Sequence, residues 1–479
     1  MLTAGIRRRL DPWRGARPSR PPLWRRLSAA ELFVASFALL VLLGTLGLRL
    51  VPAFSRGAPP GWLDALFMAT SAACVTGLVV LDPVTHFTFA GQAFLLLLIQ
   101  LGGLGMITFT TLIILALGRR LSLRQETLVA APGVAPHVRA DHLARSVVRL
   151  AILVEGVGAV LLYLAWIPRF GWTGAIWPAV FHSVSAFCNA GFALFSDSFV
   201  GFQRSPVPLL VVMALIVAGG LGAITLEESR MWLRARRERR AGREAARLRI
   251  SLHSRIVLIS TAALVVAAWV PFAIFEWDAT LASLPPVHKL VNALFLSVTP
   301  RTAGFASIDY SRATDSTNFL TMLLMFVGGS PGSTAGGVKT TTVALVLLLA
   351  WSRLRGREET HVAGRTIPEE TIQRAVGLMV VATVLVAGCI FLYTFTERTG
   401  DDPGHARFLS VVFESVSAFN TVGLSLGVTP TLSTPGRWIT ILLMFVGRVG
   451  PLTFAAALAL AARRRRVQFR FAREDVVIG

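Results

Sequence analysis

Charge is what this sequence has least of. Only 15% of its 479 residues are Asp, Glu, Lys or Arg, while 54% are hydrophobic, and that balance excludes an ordinary soluble protein of this length. Cysteine is nearly absent: Cys74, Cys188 and Cys389 have no metal-ligand spacing and cannot all pair, so a disulfide framework is not implied. No dinucleotide-binding fingerprint is present. An intramembrane enzyme would have to draw on Glu155, His182 or Asp197, yet no nucleophile and base share a recognisable spacing, and catalysis is not expected.

What the chain has instead is long apolar runs, at roughly 30–53, 88–118, 146–168, 207–229, 254–276, 318–351, 371–395 and 437–461. Each reaches the ~20 residues a helix needs to cross ~30 Å of hydrocarbon. Eight crossings put both ends on one side. The apolar run behind the N-terminal arginines is too long for a signal peptide and reads as a retained first helix.

The formal charge of +21 raises the question of nucleic acid, and placement answers it. Segments before 30, at 119–149, 230–255 and 353–374, and after 462 hold 35 Lys and Arg; the alternate connections hold 10. The positive-inside rule assigns the first set, with both termini, to the cytoplasm. Such a face attracts anionic lipid, and with no basic module outside the spans nucleic acid is not an expected partner.

Four glycines, Gly77, Gly191, Gly304 and Gly423, recur 114, 113 and 119 residues apart in the strings CVTGL, CNAGF, RTAGF and NTVGL. Each lies in a connection too weakly apolar to span and too apolar for a simple loop, the pattern of a re-entrant segment. FHSVSAFCNAGFAL (181–194) and FESVSAFNTVGLSL (413–426) match at eight of fourteen positions. Phe67, Phe181 and Phe413 precede their glycines by ten residues and Phe295 by nine; the shorter third unit also carries Pro300 and Arg301. The expected fold is therefore an all-α integral membrane protein. It has four tandem helix–pore loop–helix repeats around a pseudo-fourfold pore and eight transmembrane helices. A basic segment 1–29 precedes repeats at 30–118, 119–229, 230–351 and 352–462, and a basic tail occupies 463–479.

Four glycine loops in register suggest an ion filter of backbone carbonyls, which replace a cation's lost water without holding it by full charges. Glycine admits the backbone angles that turn carbonyls inward. The assigned residues are Val75, Thr76 and Gly77; Asn189, Ala190 and Gly191; Thr302, Ala303 and Gly304; and Thr421, Val422 and Gly423.

The second helices share GGLGMIT (102–108), GGLGAIT (219–225) and GRVGPLT (447–453), where repeated glycine indicates close helix approach or a bend; for the first two, packing alone is favoured. The third unit instead reads GGSPGSTAGGVKT (328–340). Gly328, Gly329, Pro331, Gly332, Gly336 and Gly337 should break the helix into a loop at membrane depth. Its end mimics a phosphate-binding loop, but Val338 separates Gly337 from Lys339 and no strand precedes it. Arg448 lies inside a span, where it must be wet or paired, Glu155 and Glu227 being the candidate acids. Glu414 and His182 occupy equivalent places as possible scaffold anchors; Arg301 could stabilise the third loop through carbonyls; and Asn189, Asn420 and Thr421 could hydrogen-bond behind the filter.

These strings, with GGSPGSTAGG and FVGRVGPLT, resemble the Trk/Ktr/HKT superfamily of cation transporters over essentially the whole chain from about residue 30. With one spanning helix before the first filter, the chain is most similar to the Ktr membrane subunit. The resemblance implies potassium translocation, pore helices at about 62–73, 175–187, 287–299 and 406–418, and a gating loop below the filter beside a pore-facing Arg448. It implies potassium over sodium, since members favouring sodium tend to carry serine at the position of Gly77. It further implies a plasma (inner) membrane location, a homodimer, a ring of cytosolic nucleotide-binding regulatory subunits, and potassium as transported ion with no cofactor in the chain. Sodium, known in the family as an activator, cannot be read from these residues. The rival expectation is an ion-coupled carrier with alternating access.

Overall fold

The computed structural model describes residues 29–105, 140–242, 249–357, 359–362, 364–397 and 404–450. Most of the basic N-terminal segment, the basic tail, much of the 119–149 connection and the ends of the predicted spans 88–118 and 437–461 lie outside the described residues.

The first unit comprises α1 (Ala29–Leu50), α2 (Trp62–Ala73) and α3 (Phe89–Gly103). The second has α4 (Ala140–Gly174), α5 (Ile176–Phe187), α6 (Pro206–Leu221) and α7 (Ala223–Arg240). The third has α8 (Leu252–Glu276), α9 (Pro286–Val298), α10 (Asp315–Met325) and α11 (Thr340–Leu354), and the fourth α12 (Glu369–Thr396), α13 (Gly404–Phe419) and α14 (Thr434–Val449). A two-residue hairpin, His361–Val362 with Arg365–Thr366, joins the last two units.

Each unit opens on a long apolar helix, and these are the spans. Glu31–Leu50, Val148–Gly174, Leu252–Glu276 and Glu369–Thr396 are long and apolar enough to cross a bilayer. In the apolar windows of α8 and α12 only 22% of residues are buried against the chain. Val157 and Leu164 on α4, Ile259 and Ile274 on α8, and Val384 and Phe391 on α12 are exposed, as lipid-facing side chains must be. Apolar surface turned outward cannot hold the units together. Association rests on close packing and satisfied backbone.

α2, α5 and α9 have 12, 12 and 13 residues, roughly 18–20 Å at 1.5 Å per residue. That is too short to span, so they reach only part-way into the membrane. The structure bears out all four pore-helix positions to within two residues, the fourth being α13. Phe67, Phe181, Phe295 and Phe413, the phenylalanines of the repeat, are all wholly buried. In units one, three and four the helix after the glycine loop starts at a hydroxyl cap: Thr88 accepts from Gly91 N (3.2 Å), Thr314 from Thr317 N (3.2 Å) and Ser433 from Gly436 N (3.2 Å).

The units form a closed ring by one repeated contact. α3 packs on α5, α6 on α9, α10 on α13, and α14 returns to α2, so each second helix meets the pore helix of the next unit. The first glycine of each G-x-x-G string makes close approach possible. A Cβ on Gly102 would lie 1.9 Å from Ala73 O, on Gly219 1.9 Å from Phe187 O, and on Gly447 1.7 Å from Phe419 O, which are the last carbonyls of the pore helices in the same units. The packing role expected for the first two strings is real. It is incomplete for the second: the predicted span 207–229 breaks at Gly222 (φ 81°, ψ 151°) and the chain turns by 105° from α6 into α7.

Among the described residues four helices, or five counting the bent α6–α7 pair, meet the length and composition of a crossing, and the predicted spans 88–118 and 437–461 run on beyond the described residues. The described parts of the second helices in units one and four end at Gly103 and Val449, and that of unit three is split by its glycine loop. Gly447→Ala should markedly lower the apparent melting temperature of the detergent-purified protein, because its methyl has nowhere to go. Gly388→Ala, with nothing within 4 Å of a built Cβ on α12, should leave it unchanged or slightly raised. Equal effects of the two would refute the packing argument.

Candidate functional site

The four glycine strings meet. A Cβ built on Gly77 would lie 2.5 Å from Ala190 O, and on Gly191 3.0 Å from Ala303 O. On Gly304 it would lie 2.1 Å from Val422 O, and on Gly423 2.1 Å from Thr76 O, which closes the circle. All twelve residues assigned from the sequence are brought together by this arrangement. Every loop has the same local conformation: Val75, Asn189, Thr302 and Thr421 have φ between 50° and 65°, and the glycines two residues later between 68° and 93°. Four non-glycine residues in the left-handed region, each at the same place in its repeat, are strain held by the surrounding structure.

What holds it is a hydroxyl at the end of each pore helix. Thr76, Ala190 and Val422 donate their N–H to the carbonyls of Ser71, Ser185 and Ser417 at 2.8 Å, and Ala303 N donates to Thr299 O at 3.0 Å. The side chains of the same residues reach the other strand: Gly77 N donates to Ser71 Oγ and Gly423 N to Ser417 Oγ, each at 3.1 Å. Ser185 Oγ donates to Phe192 O (2.8 Å) and Thr299 Oγ1 to Phe305 O (2.6 Å). Sequence reasoning missed these four, although a hydroxyl six residues before the glycine in three units and five before it in the third was legible. The one-residue deletion in unit three falls between that hydroxyl and the glycine.

His182 and Glu414 act as the sequence suggested, pinning the outgoing strand to the pore helix. His182 Nδ1 lies 2.7 Å from Pro178 O and Leu194 N donates to Nε2 at 3.1 Å, which requires the neutral Nδ1–H tautomer. Glu414 accepts from Ser425 Oγ and from Thr429 Oγ1 (3.0 Å). Asn420 donates to Val416 O (3.0 Å) and accepts from Val338 N (3.3 Å); Asn189, in the amide orientation that satisfies its neighbours, donates to Ala186 O (3.0 Å) and Ile216 O (3.2 Å). Thr421 departs from expectation: its buried hydroxyl has no partner among the described residues. So does Arg301, which donates to Thr261 Oγ1 (3.1 Å) on α8 and to no carbonyl of its loop among the described residues.

On the outgoing side of the ring lies a cavity of about 640 Å³ whose lining includes Gly77, Gly191, Gly304 and Gly423 with Asp82, Asp197 and Asp309. On the incoming side sits the GGSPGSTAGGV loop, non-helical as predicted, with its polar backbone satisfied by three units. Ser330 N donates to Gly220 O (3.0 Å) and its Oγ to Leu221 O (2.5 Å), capping the open end of α6. Thr334 Oγ1 donates to Phe187 O (3.1 Å), Gly337 N to Gly447 O (3.2 Å), and Lys339 Nζ to Ala335 O (2.7 Å). Gly328 and Gly329 start the loop, the former donating to Val338 O (2.8 Å). Pro331 and Gly332 form its tip against Gly222, while Gly336 and Gly337 leave no room for a Cβ beside Thr421 and Asn420.

Arg448 is buried between loop and ring. Its guanidinium donates to Thr334 O through Nη1 and to Gly102 O through Nη2 (2.5 Å). The ion pair held open for it is not what forms: Gln100 donates to both carboxylate oxygens of Glu155 (3.1 and 3.0 Å), and Glu227 pairs with Arg230 (3.4 Å). Two carbonyls satisfy the arginine, and its charge stays uncompensated among the described residues.

The TrkH family model, described as a cation transport protein, matches residues 29–463. The Enterococcus hirae potassium/sodium uptake protein NtpJ is 37% identical over 95% of this chain and 98% of its own. The Bacillus subtilis Ktr system potassium uptake protein B is 37% identical over 91% and 94%. The crystal structure of the potassium transporter TrkH from Vibrio parahaemolyticus superposes with a TM-score of 0.72 at 20% identity, covering 93% of this chain and 88% of that one, a likeness of fold. A ring of pseudo-equivalent glycine loops, an interrupted third-unit helix and relatives of full length that are transporters and not enzymes lead to one assignment: the chain is a membrane protein of the TrkH cation transport family.

Proposed function

We propose that the chain is the pore subunit of a potassium uptake system and conducts potassium passively inward through the four glycine loops. The closed ring carries this reading: each glycine abuts the carbonyl that precedes the glycine of the next unit. Left-handed angles at the first and third residue of each triplet reverse alternate peptide planes, which directs successive carbonyls to one side. Inward-facing carbonyls repay a monovalent cation's lost hydration and still release it. Glycine at position 77 favours potassium, in keeping with the names of the Ktr system potassium uptake proteins, while NtpJ is named for potassium and sodium alike. Parallel units around one axis favour a channel-like path over a rocking carrier.

The glycine loop and Arg448 form the gate in this reading. A guanidinium below the ring opposes cations, and the hydrogen bonds that hold it are few enough to exchange. Gating would come from the cytoplasmic side, where α7 leaves α6 at 105° carrying Arg230, Arg234, Arg236, Arg237, Arg239 and Arg240. We assign that basic face, with both termini, to the cytoplasm of a plasma-membrane protein, contacting anionic lipid and a ring of nucleotide-binding regulatory subunits. A homodimer with one pore per protomer completes the proposal.

Expression in a potassium-uptake-deficient bacterium should restore growth at limiting potassium, and Gly77→Ser should shift ion preference toward sodium; equal rescue with unaltered preference would sink the filter assignment. Arg448→Ala should raise cation flux in proteoliposomes, and unchanged flux in well-folded protein counts against the gate. Ser417→Ala deprives Gly423 N of its acceptor, a loss of ~1–3 kcal/mol. It should weaken potassium-over-sodium discrimination in competitive uptake; intact discrimination would show that the hydroxyl does not shape the ring.

A further inference from the structure

The residue three before the glycine is Cys74 in unit one, Cys188 in unit two and Asn420 in unit four, all neutral and buried; in unit three it is Arg301. Arg301 is only 5% exposed. Among the described residues the one hydrogen bond of its side chain is to Thr261, its Nε is buried without an acceptor, and no carboxylate pairs with it. This is a buried positive charge on the residue next in sequence to Thr302 of the ring, its guanidinium turned to α8. It also sits at the C-terminal end of α9, where the helix dipole places partial negative charge of about half an electron. In the other three units that partial charge acts on the pathway unopposed by the residue at this position.

We propose that Arg301 is a specificity-determining residue: by opposing the negative end of the third pore helix it weakens cation binding in the ring, and it penalises divalent cations twice as much as monovalent ones. The second part follows from Coulomb's law, since the interaction energy of a fixed charge with the permeant ion scales with ionic charge. A full carbonyl ring aimed at by four uncancelled helix ends would hold ions, above all divalent ones, too long for transport. One opposed helix lowers occupancy while leaving the oxygen geometry that separates potassium from sodium untouched. The inference rests on the ring being the ion path.

The test measures the half-saturating potassium concentration and half-blocking barium concentration for flux into proteoliposomes. Arg301→Gln should lower the first by a factor of roughly four or more, the effect of removing a like charge from a partly screened site. It should lower the second by approximately the square of the same factor. Arg301→Lys, which keeps the charge, should leave both near native. Thr261→Asp gives a second route should Arg301→Gln fail to fold. It sets a carboxylate beside the guanidinium, neutralises it in place and should shift both constants in the same direction. An unchanged or raised potassium constant, or a barium shift no larger than the potassium shift, overturns the proposal. Loss of flux in Arg301→Lys and Arg301→Gln alike with unaltered constants assigns the residue to structure alone. If the ring is not the pathway, Gly77→Ser leaves ion preference unaltered as well; if only the role of Arg301 is wrong, Gly77→Ser still shifts it.

Discussion

The contact on which this molecule depends is backbone against backbone: the Cα of a glycine in one loop against the carbonyl oxygen of the next. It occurs four times, at Gly77, Gly191, Gly304 and Gly423, and each site disfavours a side chain twice over. The positive φ disfavours L-residues, and the neighbouring oxygen occupies the space a Cβ would need. Because every loop both gives a carbonyl and receives one, loss of a single contact opens the circle. The surrounding helices turn aliphatic faces to lipid and gain little from one another by hydrophobic burial.

That circumstance explains why glycine recurs one layer further out. Gly102, Gly219 and Gly447 let the second helices settle onto the final carbonyls of the pore helices, so dispersion over a close interface replaces the driving force that water supplies elsewhere. Backbone groups freed by the breaks are not abandoned. The open carbonyls of α6 at Gly220 and Leu221 accept from Ser330, and the loop between α10 and α11 meets units two and four through further hydrogen bonds. Non-helical chain at membrane depth persists because protein groups on all sides answer for its N–H and C=O groups.

The third unit carries the departures from fourfold symmetry, and they belong together. It lacks one residue between hydroxyl and glycine, it has Arg301 where its equivalents are neutral, and its second helix is opened into a loop. Among the described residues only the third unit has its second helix opened into a loop against the ring, and that loop is the moving part in the proposed function. Arg448, from unit four, joins a carbonyl of that loop to a carbonyl of unit one, so in the proposed gate the side chain that links loop and ring also supplies the repelling charge.

The amino-acid order alone determined the membrane class and the fourfold recurrence of the glycine strings; the positions of the pore helices followed from the family resemblance that those strings carry. Apolar runs of span length are readable within a window of some twenty residues, and the glycine strings by comparing stretches 113 to 119 residues apart. Only the tertiary structure decided the partners. That Arg448 takes two carbonyls and leaves Glu155 to Gln100, that Arg301 turns to Thr261 away from its own loop, and that α6 ends at Gly222 depend on atoms from units more than a hundred residues apart or on another helix. Ser71, Ser185, Ser417 and Thr299 show the boundary most clearly. Their spacing stood in the sequence, but their purpose is to accept from or donate to a backbone held in the left-handed region, and no linear pattern states where a chain will be held in a conformation it does not prefer.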